Sequence, residues 1–272
     1  KIAYSISGTA LDQFEEYAPE VIKSFNELVD TGCVEILSET YYHSLAYLYS
    51  KKEFDAQVKM HKSKIRKLFN YKPKVFRNTE IIFNNEMAKY IEKKGYKGII
   101  AEGADHILHK RSPNFLYKSV SAEKIKILLK NYKLSDDIAF RFSDKNWVEY
   151  PMTANKFTKW INKINGNGEM VNLFMDYETF GEHQWEDKGI FDFLEHFPGE
   201  LLKHKDNEFL TPSEVVEKYE VKGVIDVHNI VSWADVERDL SAWVGNKMQQ
   251  SSIKELYMLE KDVKNSRDEE LL

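Results

Sequence analysis

The chain has little cysteine and no long apolar run, and each absence excludes some classes of protein. Cys33 is the one cysteine among 272 residues, so neither an internal disulfide nor a zinc site built from cysteines is available. A single thiol is typical of a reducing compartment, and we expect a cytoplasmic protein. No run of about 18 apolar residues occurs, which argues against a transmembrane helix and a membrane partner. The net charge of −5 argues against nucleic acid as a partner.

The chain does contain the material for a large folded core. Hydrophobic residues make up 42% of it, with 16 Phe, 15 Tyr and 5 Trp, so disorder is not expected. Strand-like runs at 34–37 and 74–77 alternate with helical patterns at 54–69 and 84–94. This alternation is typical of a parallel α/β protein. Helical patterns dominate later, so we expect an α/β body over residues 1–189 and a helical C-terminal region over residues 190–272.

Active sites of parallel α/β folds lie at the carboxyl ends of their strands, and three such junctions carry carboxylates among aromatic residues. At the first junction, Glu35 lies inside an apolar run, and Tyr41, Tyr42 and His43 follow the end of that run. A buried carboxylate is costly unless it is paired or lines a site. Glu35 could equally face solvent from an alternating strand, and the local pattern leaves both interpretations open.

At the second junction, Glu80 follows the run 74–77 and lies close in sequence to Arg77 and Asn78, which could hold its carboxylate ionised. There is an ordinary alternative, in which Asn78 or Thr79 caps a helix and Glu80 belongs to its first turn. The local sequence by itself favours this second interpretation.

The third junction follows the most strand-like run of the chain, residues 170–175, which ends at Asp176. The loop after it contains hydrogen-bonding side chains, including Glu178 and His183, and Trp185 as a possible stacking platform. Its acidic residues could instead complement the N-terminus of the next helix. We favour a functional loop, because two carboxylates beside aromatic side chains are what cleavage of a glycosidic bond needs.

Three segments at these junctions are together similar to the second, third and fourth motif regions of glycoside hydrolase family 57, most closely its archaeal α-amylase-type members. They are GCVEILSETYYHSL (32–45), FRNTE (76–80) and MDYETFGEHQW (175–185), and they occur in the family's order. The resemblance implies an incomplete (β/α)7 TIM-like barrel followed by a helical region that closes over the substrate. It also implies cleavage of α-1,4-glucosidic bonds in starch- or glycogen-like glucans with retention of anomeric configuration. We expect no cofactor and no metal.

The resemblance also implies roles for individual residues. Glu80 would be the nucleophile and Asp176 the general acid/base, with their carboxyl groups about 5–5.5 Å apart. The segment SWADVERDLSAW (232–243) is similar to the family's late aromatic region, although its tryptophans equally fit a core. The candidate substrate-binding residues are Glu35, His43, Arg77, His183, Trp185, Trp233 and Trp243.

The chain departs from the family pattern at its N-terminus. The first motif, a His-Gln-Pro type segment on the first strand, is absent, and the sequence begins at what resembles the second strand. We therefore expect either a fragment or a variant that lacks this strand. Alternative functions are an α-glucanotransferase or branching enzyme, or a catalytically impaired glucan-binding fragment. A metal-dependent deacetylase would need clustered ligands, and we interpret the one close histidine pair, His106 and His109, as surface or packing residues.

Overall fold

The computed structural model describes residues 1–266, which form an α/β structure. The strands in this part of the chain are β1 (Ile2–Tyr4), β2 (Val34–Ile36), β3 (Val75–Arg77), β4 (Gly98–Glu102), β5 (Leu116–Ser119), β6 (Lys126–Lys130) and β7 (Val221–Ile225). The helices are α1 (Gly8–Tyr17), α2 (Pro19–Asp30), α3 (Ala46–Tyr49), α4 (Lys51–Phe69), α5 (Asn85–Lys93), α6 (Asp105–Leu108), α7 (Tyr132–Ala139), α8 (Ala154–Asn162), α9 (Ile190–Leu201), α10 (Pro212–Lys218), α11 (Ser241–Val244) and α12 (Lys247–Ser266).

Five of the strands run parallel and bring their carboxyl ends to one edge. β1 pairs with β2, and β3, β4 and β6 pair in that order, all in parallel. A bridge at Ser38 links the two sets, since Ser38 N donates to Val75 O over 3.0 Å and Arg77 N donates to Ser38 O over 2.8 Å. β5 is antiparallel to β6 and carries β7 as its parallel neighbour. The sheet is therefore mixed, although most of its strand pairs are parallel, as expected for a parallel α/β protein.

Helix α4 shows how the sequence sets these elements. The Ser50 hydroxyl accepts from Glu53 N at its start, and Asn70, with φ 47°, ends it in the left-handed conformation that asparagine tolerates. Phe54, Val58 and Ile65 are buried on one side, because positions spaced by about 3.6 residues share a face. Burying each of these side chains contributes about 1.5–3 kcal/mol, so packing against the sheet stabilises the helix.

Two elements differ from the sequence-based expectation in the N-terminal and central parts of the chain. Apolar residues at helical spacing between Leu11 and Val29 predict one helix, but the structure has two, since Pro19 begins α2 and lacks the N–H that would continue α1. The expected strand over 170–175 does not form. Its hydrogen bonds go to a loop and to a helix, because Met170 N donates to Asn114 O and Phe174 N donates to Ser135 Oγ.

The part from residue 190 onwards is not wholly helical, which corrects the sequence interpretation. Val221–Ile225 forms β7 on the edge of the main sheet, so the sheet crosses the expected boundary at residue 189. Residues 226–240 contain neither helix nor strand, although they belong to the region that was expected to be helical. We call residues 226–240 the linking segment. The last residues of the expected helical region, 267–272, lie outside the described residues.

Two apolar cores support the edge where the strands end. One lies on the sheet and includes Phe76, Ile99 and Ile127, all fully buried. The other lies between α8 and α9 and is built around Phe157. Gln184 Nε2 donates to the main-chain oxygen of Ala139 over 2.8 Å, which fixes the loop after Asp176 to the end of α7. Within residues 1–266 no helix has the length and apolar character needed to span a membrane.

Candidate active site

Charged side chains collect at the carboxyl ends of the parallel strands. Arg77 is the last residue of β3, Glu102 of β4 and Lys130 of β6, and all three side chains are buried. Glu39 follows β2 and is also buried. Buried charges are costly unless they are paired or hydrogen-bonded, so this edge of the sheet is the first place to look for chemistry.

The backbone at Glu80 is in an unusual conformation. Glu80 has φ 54° and ψ 23°, and Ile81 has φ 44°, the left-handed region that such residues rarely adopt. Conformations of this kind cost of order 1–3 kcal/mol and cluster at functional sites. Thr79–Ile81 form only a single 3₁₀ turn after Asn78, whose side chain makes no capping hydrogen bond, and Glu80 within this turn has a non-helical backbone. The next α-helix, α5, begins at Asn85 with Asn84 as its N-cap, so Glu80 does not belong to the first turn of a capped α-helix.

Both carboxylate oxygens of Glu80 accept hydrogen bonds. His43 Nε2 donates to Oε1 over 2.8 Å, and Trp233 Nε1 donates to Oε2 over 3.0 Å. Burial alone would raise the pKa of Glu80. The two hydrogen bonds and the positive charges of His43 and Arg77 outweigh burial and hold the pKa below its ordinary value. Glu80 is therefore kept ionised, as a nucleophile must be.

His43 lies between two carboxylates. Burial lowers its pKa, but hydrogen bonds to Glu39 and Glu80 raise it more, so the net shift is upward. Arg77 Nη1 lies 3.1 Å from Nδ1 of the His43 ring, and the same Nδ1 lies 3.2 Å from Glu39 Oε2. Arg77 Nη1 lies 3.5 Å from the same oxygen of Glu39. His43 was predicted as a sugar contact, and in this structure its ring nitrogens are both engaged with carboxylates.

Sequence reasoning missed Glu39, which holds this arrangement together. Burial would raise its pKa, but the hydrogen bond from His43 and the charge of Arg77 lower it overall. Ser5 Oγ donates to its other oxygen over 2.6 Å. β2 ends at Ile36, so Glu39, rather than Glu35, falls in the junction beyond the strand, and the apolar run does not mark this end in the sequence.

Asp176 has the opposite electrostatic environment. No hydrogen bond to its carboxylate is found among the described residues, and its side chain is open to the cleft. Desolvation by the surrounding protein raises its pKa most, and the negative charge of Glu178 raises it further. Arg77 lowers the pKa, Glu80 raises it by a smaller effect and His183 lowers it least, so the net shift is upward. One carboxyl group with a lowered pKa and one with a raised pKa is the pairing expected of a nucleophile and a general acid.

Glu80 and Asp176 line the same cavity, which has a volume of about 180 Å³. The cavity lies between the loop after Asp176, the end of α7 and the linking segment. Its remaining lining residues are Lys130, Ala139, Phe140, Met175, Thr179, His183, Trp233, Ala234 and Arg238. His183 and Trp233 were predicted from the sequence, whereas Lys130, Phe140 and Arg238 were not.

Two of the cavity residues belong to a buried charge quartet formed by Glu102, Lys130, Asp136 and Arg238. Lys130 Nζ lies 3.4 Å from Asp136 Oδ1 and 3.9 Å from Glu102 Oε2. Arg238 contacts the same two carboxylates, at 3.0 Å for Asp136 and 3.3 Å for Glu102. The quartet has two positive and two negative groups, so each buried charge has a partner.

Five predicted substrate-binding residues do not line the cavity, and His43, held between Glu39 and Glu80, is one of them. Arg77 is buried below it, with its guanidinium 5.5 Å from the Trp233 ring. Glu35 is turned away, since its Oε2 accepts from Ser213 N over 2.7 Å and so joins β2 to α10. Trp185 and Trp243 are exposed and do not line the cavity. Contacts of Trp185 and Trp243 with substrate therefore stay predictions, whereas the position of Glu35 does not support the predicted contact.

No group of three or more His, Cys, Asp and Glu side chains that could hold a metal ion occurs within residues 1–266. The charged groups of the cavity are instead paired with one another or hydrogen-bonded, apart from Asp176.

The fold and the cavity together define an α/β protein with a carboxylate pair, in which Glu80 follows strand β3 and Asp176 lies in a loop on the same cavity. The chain belongs to glycosyl hydrolase family 57, whose sequence model matches residues 1–228. It is 47% identical over 269 residues to a protein of Methanocaldococcus jannaschii named "Putative alpha-amylase". That match covers 98% of this chain and 57% of the relative, so the chain spans little more than half the length of that relative.

Solved structures share the fold at lower identity. The 4-alpha-glucanotransferase from Thermococcus litoralis is 21% identical with a TM-score of 0.73, over 96% of this chain and 40% of that one. A family 57 branching enzyme from Thermococcus kodakaraensis is 17% identical with a TM-score of 0.67, over 94% of this chain and 59% of that one. The family expected from the sequence is confirmed.

Proposed function

We propose that this chain carries the active site of a retaining glycoside hydrolase that cleaves α-1,4-glucosidic bonds in starch- or glycogen-like glucans. The observation that carries the proposal is the placement of Glu80 and Asp176 on one cavity, with their pKa values shifted in opposite directions. The α-amylase name of the relative that is 47% identical supports the substrate class.

The reaction follows from the two environments. Asp176, the carboxyl group whose pKa is raised by desolvation and by neighbouring negative charge, gives its proton to the oxygen of the leaving glucan while Glu80 attacks the anomeric carbon. The resulting glycosyl-enzyme is then hydrolysed by a water molecule that Asp176, now ionised, deprotonates. Two displacements at one carbon restore the original configuration. His43 and Trp233 hold the Glu80 carboxylate ionised and in place before it attacks, and again once hydrolysis has released it.

Transfer to a sugar hydroxyl instead of water is the second candidate. The similarity of the fold to a glucanotransferase and to a branching enzyme favours it, and the same two carboxylates would serve. Incubation with maltoheptaose separates the candidates, because hydrolysis gives only shorter products while transfer gives longer or branched ones. A glucan-binding fragment would be retained in an amylose affinity gel and release no reducing sugar.

We also propose that the parallel strands β1, β2, β3, β4 and β6 belong to an incomplete (β/α)7 barrel of the TIM-like type. The bridge at Ser38, which continues β2 onto β3, supports one continuous curved sheet. The proposal is tested by an experimental structure of a longer chain that includes a His-Gln-Pro type strand. Pairing of that strand with β1 is expected, and a strand lying elsewhere would contradict the proposal.

Azide rescue tests the two catalytic roles separately. Starch hydrolysis is expected to fall at least about a thousandfold in Glu80→Ala and in Asp176→Ala. In Glu80→Ala, azide attacks the anomeric carbon in place of the missing nucleophile and should give the β-glucosyl azide. In Asp176→Ala, azide attacks the glycosyl-enzyme in place of water, from the opposite face of the sugar, and should give the α-glucosyl azide. Glu27→Ala and Asp187→Ala, both exposed, serve as controls. The same azide anomer from both variants, or hydrolysis unchanged in either, contradicts the assignment.

A further inference from the structure

The linking segment reaches Glu80 although it contains neither helix nor strand. Trp233 Nε1 donates to the carboxylate, Ser232 Oγ donates to the main-chain oxygen of Glu80 over 2.9 Å, and Trp233 N donates to the same oxygen over 3.3 Å. A main-chain bridge to Phe83, with two hydrogen bonds of 2.9 Å, fixes Val231 at the start of this stretch. Beyond Val231 no helix or strand holds the segment, so individual side chains anchor the residues that follow.

Arg238 is the anchor closest to Trp233. Its backbone has φ 58°, and its main-chain oxygen accepts from Ser232 N over 3.2 Å, which closes the segment into a loop. Its guanidinium donates from Nη1 to the main-chain oxygen of Trp233 over 3.3 Å. The same guanidinium contacts Glu102 on β4 and Asp136 on α7. One side chain therefore connects the main chain of Trp233 to two fixed elements.

Lys130 completes the support of the indole. Its ammonium group lies 4.7 Å from the centre of the Trp233 ring, the range of a cation–π contact. Glu102 and Asp136 hold Lys130 there, and they are the two carboxylates that Arg238 binds. The quartet thus fixes both the main chain and the ring of Trp233, and nothing in the proposed reaction uses its charges directly.

We propose that Arg238 is a positioning residue of the active site, which acts by tying Trp233 to Glu102 and Asp136 so that the indole N–H stays on the Glu80 carboxylate. The effect of Arg238 on turnover rests on the proposed function. Its effect on the position of the Trp233 indole does not, so experiments can contradict either claim without the other.

Other charged groups also face Glu80, and the test must separate them from the indole. They are His43 from the junction after β2, Arg77 from β3, Lys130 from β6 and Asp176 from the loop after residue 175. Substitution of Arg238 leaves all four of these side chains in the protein. The Glu80 carboxylate accepts hydrogen bonds from His43 and from Trp233. Of these two donors, Arg238 contacts Trp233.

The placement is tested by ¹H–¹⁵N NMR of the tryptophan indoles of the chain as it stands, with the Trp233 signal assigned from Trp233→Phe. In the unsubstituted chain this signal should titrate with Glu80. In Arg238→Gln it is expected to move toward the position of a solvated indole, and its titration midpoint should rise. Arg141→Gln, a matched substitution of an α7 neighbour that pairs with Asp137, should leave it unchanged.

If Arg238→Gln does not fold, Glu102→Gln/Arg238→Gln removes one charge of each sign and gives the same readout. A Trp233 signal and midpoint equal to those of the unsubstituted chain in the folded variant overturns the proposal.

A double-substitution cycle on starch hydrolysis tests the consequence. Arg238→Gln is expected to lower kcat about 10- to 100-fold with KM changed by less than about twofold, because the lost contact orients a catalytic group. In the Trp233→Phe background the same substitution should have little further effect, since residues that act through one another are not additive. Independent, multiplicative losses would overturn the positioning role. Absence of hydrolysis by the unsubstituted chain would contradict the proposed function, while the NMR result would still decide the role of Arg238.

Discussion

The indole nitrogen of Trp233 lies 3.0 Å from Oε2 of Glu80, across 153 residues of sequence. A neutral donor in this position stabilises the ionised carboxylate without adding a charge that would have to be neutralised elsewhere. The ring is supported by Phe174, whose centre is 5.4 Å away, and by the cations of Arg77 and Lys130. The direction of the N–H is thus set by packing before any substrate arrives, as preorganised electrostatic stabilisation requires.

Removal of this donor should weaken the nucleophile. Trp233→Phe keeps an aromatic ring but loses the N–H, and a hydrogen bond to a charged group contributes about 1.5–3 kcal/mol. We expect kcat/KM on soluble starch to fall roughly 10- to 150-fold, and the acid limb of its pH profile to move to higher pH because the pKa of Glu80 rises. Trp160→Phe, on the α8–α9 core, is the matched control. An unchanged acid limb would show that the indole does not stabilise ionised Glu80.

The alkaline limb of the same profile should respond to Glu178. The charge of Glu178 contributes to the raised pKa of Asp176, and a general acid loses activity as the pH rises through its pKa. Glu178→Gln should therefore lower the pKa of Asp176 and move the alkaline limb of kcat/KM to lower pH, with little change in the acid limb. Glu186→Gln, an exposed residue of the same loop, should move neither limb. A shift of the acid limb alone would exclude Asp176 as the group that Glu178 influences.

Glu39 should contribute to stability in a pH-dependent way. Its pKa is lowered in the folded protein, so its contribution is present above the ordinary value of about 4.3 and is lost as the pH falls through the folded value. Glu39→Gln leaves His43 and Arg77 without their shared anion, which should cost about 3–5 kcal/mol of unfolding free energy near neutral pH.

Urea unfolding at several pH values measures this contribution of Glu39. The difference between Glu39→Gln and the unsubstituted chain should shrink as the solution is acidified below the folded pKa. Glu27→Gln, whose side chain is largely exposed, should cost little at any pH. A difference for Glu39→Gln that does not change with pH would mean that the ion pairs are not its source.

Glu80 and Asp176 were predicted because the family resemblance rests on two continuous segments, 76–80 and 175–185, that contain them. For Glu80 the local sequence alone favoured another interpretation, and the strand expected before Asp176 does not form. Glu35 was preferred to Glu39 because an apolar run gives no sign of where its strand ends, and β2 ends three residues before Glu39. Arg238 could not be found in this way. Its partners Glu102 and Asp136 are 136 and 102 residues distant, and local periodicity carries no information about contacts of that range.

Errors in the fold have similar physical causes. Residues 170–175 are apolar enough for a strand, but their hydrogen bonds go to Asn114 and Ser135 rather than to a neighbouring strand. β7 was missed because it contains Gly223 and alternates between half-buried and exposed positions at the sheet edge. In both segments tertiary contacts, and not intrinsic propensity, decide the outcome.

The core between α8 and α9 offers a test of what supports the loop that carries Asp176. Phe157 is fully buried there, with ring centres 5.3 Å from Phe197 and 5.7 Å from Phe193. Phe157→Ala should lower the free energy of unfolding by about 3–5 kcal/mol, because it removes buried surface and leaves a cavity. Phe140→Ala is the matched control, since that ring is 66% exposed and its loss should change stability by less than about 0.5 kcal/mol. Denaturant unfolding measures both, and equal losses would mean that the α8–α9 core is not packed as described. Loss of starch hydrolysis in Phe157→Ala at temperatures where it remains folded would show in addition that this core holds Asp176 in place.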